Sequence, residues 1–216
     1  QNLEMLKDLF FIILLNLFFS CTTFYTGNYK LNNFNVYGQT DELGPLVHPW
    51  EDGLRTKENK NQLEWWYFDG KLADGSIIVC YFWKVHFVFD QYFIGLNYSR
   101  PNKKDIFILK YFNKNDVSFS IDSCNVQMGG NSIIGNLKNY KIIIDPEDFD
   151  GIGFNIDLES KSLPYRPQDG IIKAGDDYFA WLAAVPKGDF RGTLILYDKK
   201  KKIKGNGYHD HNWGNT

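Results

Sequence analysis

Neither sign of charge dominates this sequence of 216 residues, in which 24 Lys and Arg stand against 26 Asp and Glu, for a formal net charge of −2. Without a basic excess the chain has no electrostatic footprint for nucleic acid, because phosphate binding draws its affinity from clustered Lys and Arg. The basic run Lys199 to Lys202 lies between two apolar segments that are typical of strands. We therefore interpret it as a solvated hairpin turn and not as a polybasic membrane signal.

Cysteine is scarce as well, with three in the chain, Cys21, Cys80 and Cys124. No two of them have the spacing of metal ligands, and a chain of this length can bury a core without a disulfide. If the protein is exported, a disulfide between Cys80 and Cys124 is permitted. The alternative is a buried thiol at Cys80, in an apolar strand-like run, and a half-exposed thiol at Cys124, in a polar turn region.

The sequence has no apolar run that is long enough to span a membrane as a helix. The run from Leu9 to Phe19 is apolar except for Asn16, and as a helix it would cover only about half of the roughly 30 Å hydrocarbon layer of a membrane. Its length is typical of a signal peptide, and Ser20-Cys21 after it resembles a bacterial lipoprotein cleavage box. We predict a signal peptide over residues 1–27 and export to the bacterial periplasm. Lipidation of Cys21 would anchor the protein to the membrane, and an ordinary cleaved signal or an uncleaved anchor are the alternatives.

Helical periodicity is absent after the signal peptide. Residues 28–60 are rich in Asn, Gly, Asp and Pro and predict a loop that covers part of the fold, or a linker. From residue 61 on, apolar runs alternate with turn signals such as Asp74-Gly75 and Gly129-Gly130-Asn131. Phe, Tyr and Trp make up 17% of the chain, which favours strands. These features predict an all-β domain over residues 61–216, an antiparallel β-barrel that closes its sheet edges and can hold one apolar ligand.

Two stretches carry most of the chemistry. In an extended Gly207 to Asn215, alternation with period two separates His209, His211 and Trp213 from Tyr208, Asp210 and Asn212. The stretch Glu64 to Gly70 has the same character, with Glu64, Trp66 and Phe68 alternating with Trp65, Tyr67 and Asp69. Imidazole and indole groups are costly on a solvent-facing strand unless they pack, bind something or move a proton. Large rings on both faces predict that the second stretch lies inside the protein.

These two stretches, together with Trp181 to Gly188, resemble the carotenoid 1,2-hydratase family, also called hydroxyneurosporene synthases. The resemblance covers about residues 61–216, and the last motif is specific because eight consecutive positions, Gly207 to Gly214, match in order. The family implies a lipocalin-like fold with two tandem barrels. This chain would then hold the first barrel and break off before most of the second.

The resemblance implies acid-catalysed addition of water to a carbon-carbon double bond of an isoprenoid or another apolar lipid, without a cofactor. By match to the family, His211 would orient or deprotonate the water and Trp213 would face a carbocation, with His209 and Asp210 in support. The substrate-binding residues would be Glu64, Trp65, Trp66, Tyr67 and Tyr208. The family's proton donor lies downstream of this motif, beyond Thr216. The resemblance therefore implies that this chain alone is an inactive part of a hydro-lyase.

Other interpretations of the same residues stay open. His209 and His211 could bind a metal, but neither His48 nor His86 is spaced to complete a site, so we expect no metal. The motif could instead form a polar knot in which Asp210 fixes a histidine tautomer and Trp213 closes the base of the barrel. Glu64 fits a buried carboxylate that is bonded to backbone or histidine better than it fits a catalytic acid. The protein would then be a non-catalytic, exported lipid-binding lipoprotein.

Overall fold

The computed structural model describes residues 46–56, 61–167 and 170–215. The predicted signal peptide over residues 1–27, with Cys21, and the lead-in as far as residue 45 lie outside the described residues. Export, lipidation and the domain boundaries therefore stay predictions. Within the described part, no helix is both long enough and apolar enough to cross a membrane.

The described residues form one antiparallel sheet of twelve strands. Along the chain these are β1 (Gln62–Leu72), β2 (Ile77–His86), β3 (Asp90–Ser99), β4 (Ile106–Phe112), β5 (Val117–Phe119), β6 (Asn125–Met128), β7 (Asn131–Gly135), β8 (Asn139–Ile144), β9 (Ile152–Ser160), β10 (Ile171–Ala174), β11 (Asp177–Leu196) and β12 (Lys199–Asn215). Their order in the sheet is β4-β3-β2-β1-β12-β11-β9-β8-β7-β6-β5, and β10 pairs with β11. Two short 3-10 turns, Pro49–Asp52 and Lys114–Asp116, complete the described elements. The predicted antiparallel all-β class is confirmed.

The two ends of this sheet approach each other. The edge strands β4 and β5 are joined along the chain by the 3-10 turn Lys114–Asp116. The rings of Tyr92 on β3 and Phe119 on β5 lie 5.9 Å apart between centroids. Lys110 on β4 also reaches across to Asp148, with 3.1 Å between Nζ and Oδ1. The sheet is therefore a nearly closed barrel, as predicted, and one apolar cluster fills its interior.

Alternation along each strand decides which side chains fill the barrel. On β9, Phe154, Ile156 and Leu158 are buried, whereas the residues between them are exposed. Burial of each such side chain contributes about 1.5–3 kcal/mol. The core is thus assembled from one residue in two, and the sheet needs no covering helix.

The long hairpin of β11 and β12 differs from the sequence prediction. Lys199 to Lys202 belong to β12 and pair with Leu196 to Thr193, so the prediction of a turn at these lysines was wrong. They remain exposed, and the chain reverses just before them, at Tyr197, where φ is 56°. Pro186 lies within β11, where the register with β12 shifts between Val185 and Gly188. Such an irregularity tolerates a proline that lacks a ladder hydrogen bond.

Both cysteines of the barrel are free. Cys80 and Cys124 are each buried with no exposed surface, and no disulfide joins them. The expectation of a half-exposed thiol at Cys124 was wrong, because its side chain faces the interior, where Sγ lies 3.6 Å from the Ile133 carbonyl oxygen. The disulfide that the sequence permitted does not form in this structure.

Candidate functional site

The two motif stretches pair with each other along their whole length. β1 and β12 are antiparallel neighbours, and their register places Glu64 opposite Trp213, Trp66 opposite His211 and Phe68 opposite His209. These six side chains point into the barrel and are at most 2% exposed. The alternate side chains, Trp65, Tyr67, Asp69, Tyr208 and Asp210, are partly exposed on the outer face. The structure therefore divides the predicted site residues between opposite faces of one sheet.

His211 and Glu64 form the first half of the inner cluster. The His211 Nε2 atom lies 2.8 Å from Glu64 Oε1, and its Nδ1 atom lies 3.2 Å from the Glu51 carbonyl oxygen. Arg55 and Thr56 donate to the Glu64 carboxylate from their backbone N–H groups, at 2.7 and 2.9 Å. Burial opposes ionisation of Glu64, but hydrogen bonds from His211, Thr56 and the Arg55 backbone hold its pKa below the ordinary value. Glu64 is thus a buried, bonded carboxylate, as the sequence indicated.

His209 and Asp52 form the second half. The His209 Nδ1 atom lies 2.7 Å from the Tyr67 carbonyl oxygen, and its Nε2 atom lies 3.2 Å from Asp52 Oδ2. The Tyr140 hydroxyl donates to the same carboxylate oxygen at 2.5 Å. Burial disfavours the charged imidazole, but Asp52 and the Tyr67 carbonyl outweigh it and raise the pKa of His209.

Aromatic rings enclose His211 on both sides. Trp66 stacks on His211 with 4.6 Å between centroids and an interplanar angle of 9°, and Trp213 lies 4.7 Å away on the same ring. The Trp66 Nε1 atom donates to the Asp52 carbonyl oxygen at 2.9 Å. With both nitrogens next to acceptors and its ring enclosed by indoles, His211 is held in one orientation.

Two of the four acceptors for these histidines, the Glu51 carbonyl and the Asp52 carboxylate, come from the segment before β1. Glu51, Asp52, Arg55 and Thr56 precede β1, and all are at most 4% exposed. Arg166 holds the segment from outside through a buried ion pair with Glu51, at 2.5 Å between Nε and Oε2. Residues 46–56 belong to the stretch for which the sequence predicted a covering loop or a linker. The feature of the sequence that could have marked this segment was the acidic pair Glu51-Asp52 beside Trp50. Nothing in the sequence indicated that these two carboxylates are buried.

Asp210 does not fix a histidine tautomer, so that expectation was wrong. Its side chain lies on the outer face, where Oδ2 accepts hydrogen bonds from the Tyr208 hydroxyl at 2.7 Å and from Trp181 Nε1 at 3.1 Å. Oδ1 accepts from Asn212 Nδ2 at 2.7 Å. Alternation on β12 places Asp210 on the opposite face from both histidines, and Asp52 and Glu64 take the position next to the imidazoles instead.

The outer face carries two carboxyl groups with raised pKa values. Burial raises the pKa of Asp210 even though hydrogen bonds from Tyr208, Asn212 and Trp181 oppose the shift. Burial also raises the pKa of Asp69, and repulsion by Asp210 adds to the effect while a hydrogen bond from Tyr67 opposes it. These groups lie among half-buried rings, since Tyr67 is 6.2 Å from Tyr208 between centroids. A neutral carboxyl beside aromatic rings can donate a proton to an apolar molecule.

Two other features bear on ligands. Asp52, Cys124 and His209 have ligand atoms within 4.8 Å of one another, a size that could surround a metal ion. The Asp52 and His209 atoms already bond to each other and the Cys124 thiol points to the Ile133 carbonyl, so hydrogen bonding accounts for the cluster. A cavity of about 1140 Å³ lies at the Leu72 end of β1. It is lined by charged side chains such as Lys71 and Arg191 and by apolar ones such as Leu158 and Phe190. None of the predicted site residues lines it.

No family model matches the chain. A hydroxyneurosporene dehydrogenase from Chlorobaculum tepidum is 25% identical over 193 residues, covering 70% of this chain and 49% of that protein. A structure described as an ATTH from Nitrosomonas europaea is similar with a TM-score of 0.65 and 14% identity, over 81% of this chain and 58% of that one. The structure of kievitone hydratase from Nectria haematococca is similar with a TM-score of 0.55 and 14% identity, over 80% of this chain and 53% of that one.

These likenesses confirm the resemblance that the motifs predicted. The sequence match is to a protein named hydroxyneurosporene dehydrogenase, and the similar structures include a hydratase. The barrel has the lipocalin-like fold of these structures. The chain spans about half the length of the curated relative. At 14% identity, the solved structures bear on the fold alone.

Proposed function

We propose that this chain carries a hydratase site on the outer face of β1 and β12, with Asp210 as the proton donor. The observation that supports it is the raised pKa of a carboxyl group bordered by Tyr208, Trp181 and Tyr67. An alkene is a weak base, so the acid that protonates it must be neutral at the working pH and shielded from bulk water. Burial raises the pKa of Asp210 and so favours its neutral form, and the register opposite Tyr67 brings that ring beside it.

The proposed reaction adds water across one double bond without an oxidant or reductant. The Asp210 carboxyl proton forms a new C–H bond as the π bond breaks, and the positive charge develops on the more substituted carbon. Water then bonds to that carbon, and its extra proton returns to the Asp210 carboxylate, which regenerates the acid. The faces of Tyr67, Tyr208 and Trp181 would stabilise the cation by about 0.5–2 kcal/mol per ring.

The inner histidines take a supporting role in this proposal. His209 and His211 are fully buried, and each ring nitrogen already has an acceptor within 3.2 Å. An attacking water at His211 would have to displace one of these bonds. We therefore propose that the inner cluster fixes the position of β12 and, through its backbone, that of Asp210. This differs from the family match, which assigns a catalytic role to His211 and Trp213.

The substrate proposed is an isoprenoid or another apolar lipid with an isolated double bond. Trp65 stacks on Trp83 at 4.3 Å and lies two residues before Tyr67 on the same face, which continues the aromatic surface away from Asp210. A chain of methyl-branched units would lie along such rings. The proposal includes export to the periplasm, with a lipid anchor at Cys21 as the means of membrane attachment.

The test is incubation of the chain with an acyclic polyene in ¹⁸O-labelled water. We expect ¹⁸O in a new tertiary alcohol, and a rate that falls about 10²–10⁴-fold in Asp210→Asn, which is the usual contribution of general acid catalysis. Asp189→Asn is the matched control, because Asp189 is an exposed carboxylate on β11 that accepts from Asn206 at 3.0 Å. Label appearing at the wild-type rate in Asp210→Asn would rule out Asp210 as the donor. Polyene binding without any label would favour the non-catalytic lipid-binding lipoprotein.

A further inference from the structure

The hairpin between β2 and β3 exposes three consecutive apolar residues. Phe87, Val88 and Phe89 are 38%, 89% and 58% exposed. The turn between β1 and β2 contains Asp74-Gly75-Ser76, and that between β3 and β4 contains Asn102-Lys103-Lys104. Turns favour such polar residues and glycine, so three exposed apolar side chains in a row are unfavourable in water. The β2–β3 tip therefore needs a partner that accepts apolar groups.

The base of the tip is held and its charge is compensated. His86 ends β2 and pairs in register with Asp90, which begins β3, and their Nδ1 and Oδ1 atoms are 2.8 Å apart. The Lys114 ammonium group also lies near Asp90, with 3.7 Å between Nζ and Oδ2. A tip of three residues closed by the hydrogen-bonded His86 and Asp90 presents only apolar groups at its end. Asp90 would therefore not meet an apolar phase as an unpaired charge.

A row of aromatic rings crosses the sheet behind the tip. Trp83 lies three residues before His86, stacked between Trp65 at 4.3 Å and Phe93 at 5.8 Å. Phe93 continues the row to Tyr111 on β4, at 5.3 Å. At about 3.3 Å per strand residue, the row stands roughly 10 Å behind the base of the tip. Trp83 and Phe93 are at most 8% exposed, whereas Trp65 and Tyr111 at the two ends of the row are partly exposed. Those two rings can lie at the headgroup level when the tip enters a bilayer by about 5–10 Å.

We propose that Phe87, Val88 and Phe89 form a membrane-docking tip that inserts into the surface of a lipid bilayer. A second protein fits this surface poorly, because stable protein interfaces use roughly 20–30 residues from each side. A bilayer needs only the three side chains, and it adapts to their shape. The tip would give the protein a membrane contact in addition to any lipid at Cys21, and single anchors of either kind bind only marginally.

A fluorophore at the tip tests the insertion directly. We would label Val88→Cys with an environment-sensitive dye in the Cys21→Ser chain, where the remaining thiols, Cys80 and Cys124, are buried. Leu163→Cys is the matched control, because Leu163 is 84% exposed in a segment outside the strands. With phosphatidylcholine vesicles we expect a blue shift and a several-fold rise in emission at position 88 and neither at position 163. An unchanged spectrum at 88, or an equal change at 163, overturns the proposal.

Partition of unlabelled protein gives the second readout. Phe87→Ser with Phe89→Ser should reduce binding to the same vesicles by at least about tenfold, because two apolar rings are lost from the insertion. Leu163→Ser and Asp210→Asn should bind as the wild type does, so failure of the docking tip and failure of the hydration test remain distinguishable. Binding that requires phosphatidylglycerol, or a tip-dependent rise in molecular mass without vesicles, would overturn the proposal in favour of basic residues or of self-association.

Discussion

Glu64 receives hydrogen bonds from two backbone amides, one hydroxyl and one imidazole at a position without solvent contact. A buried charge is tolerated only when each of its lone pairs is matched, and loss of one partner leaves the desolvation cost uncompensated. Single-residue replacements can therefore distinguish a supporting role of the inner cluster from a catalytic one. Removal of a supporting residue lowers the free energy of unfolding, whereas removal of a residue that acts on substrate need not lower it.

Replacement of His211 by Ala should lower the free energy of unfolding by about 3–5 kcal/mol, because it leaves the buried Glu64 carboxylate without its imidazole. Urea unfolding followed by tryptophan fluorescence measures the change. His86→Ala is the control, since the His86–Asp90 pair is partly exposed and should contribute only about 0–1 kcal/mol. Equal losses in the two variants would contradict a supporting role for His211.

Asp210→Asn should stabilise the fold at neutral pH. The pKa of Asp210 is raised in the folded state, so the native protein favours the neutral carboxyl and loses stability as pH rises through that pKa. Asn has no charge to bury, and its advantage over wild type should grow from about pH 4, near the unfolded pKa, to neutral pH and vanish in acid. Denaturant midpoints at both ends of this range measure it. A variant that is less stable than Asp189→Asn at neutral pH would contradict the raised pKa.

At the scale of elements, residues 46–56 act as a plug that supplies acceptors to β12. Asp52 bonds to both His209 and Tyr140, so it joins β12 to β8 across the interior of the barrel. Because Asp52 favours the charged imidazole, the pKa of His209 is raised above its unfolded value. The resulting stabilisation is complete below the unfolded pKa of about 6.5 and is lost as pH rises through the folded pKa.

Asp52→Asn should therefore weaken the pH dependence of stability on the alkaline side of about pH 6.5. The variant has an amide of similar shape but lacks the negative charge that offsets the cost of burying the His209 cation. Denaturant midpoints across this range, with NMR titration of the His209 ring, follow the effect. Asp90→Asn serves as the control because it alters the half-exposed pair with His86. If His209 titrates alike in wild type and Asp52→Asn, Asp52 does not set its pKa.

The elements show what a single sequence can predict. Alternation alone placed His209, His211 and Trp213 on one face of β12 and Asp210 on the other, and the structure has both faces as predicted. It could not give the partner of β12, because register depends on which strands meet in the folded barrel. For the same reason Asp52 was missed, since a segment without periodicity gives no sign of what it packs against. The lysines of β12 were wrongly predicted as a turn. A run of charged residues indicates exposure to solvent, but it does not indicate where a strand begins or ends.

At the scale of the whole molecule, one sheet carries both candidate surfaces and the cluster that supports them. β1 connects the inner cluster to the proposed hydratase site, since its inner residues contact the histidines while Trp65 and Tyr67 lie on the outer face. A change inside the barrel can therefore alter Asp210 through the backbone of β12. The described residues also fall within one compact unit, which predicts a single unfolding transition.

The two buried thiols test this cooperativity. Cys80 lies on β2 and Cys124 just before β6, in different parts of the sheet, and burial raises the pKa of both. Only an exposed thiolate can attack a disulfide reagent, so both cysteines should react at one rate that follows global unfolding as urea is increased. Mass spectrometry of the Cys21→Ser chain resolves the two sites. Faster labelling of Cys124 alone would show that the β5 to β7 side opens independently, and the barrel would then consist of two units that unfold separately.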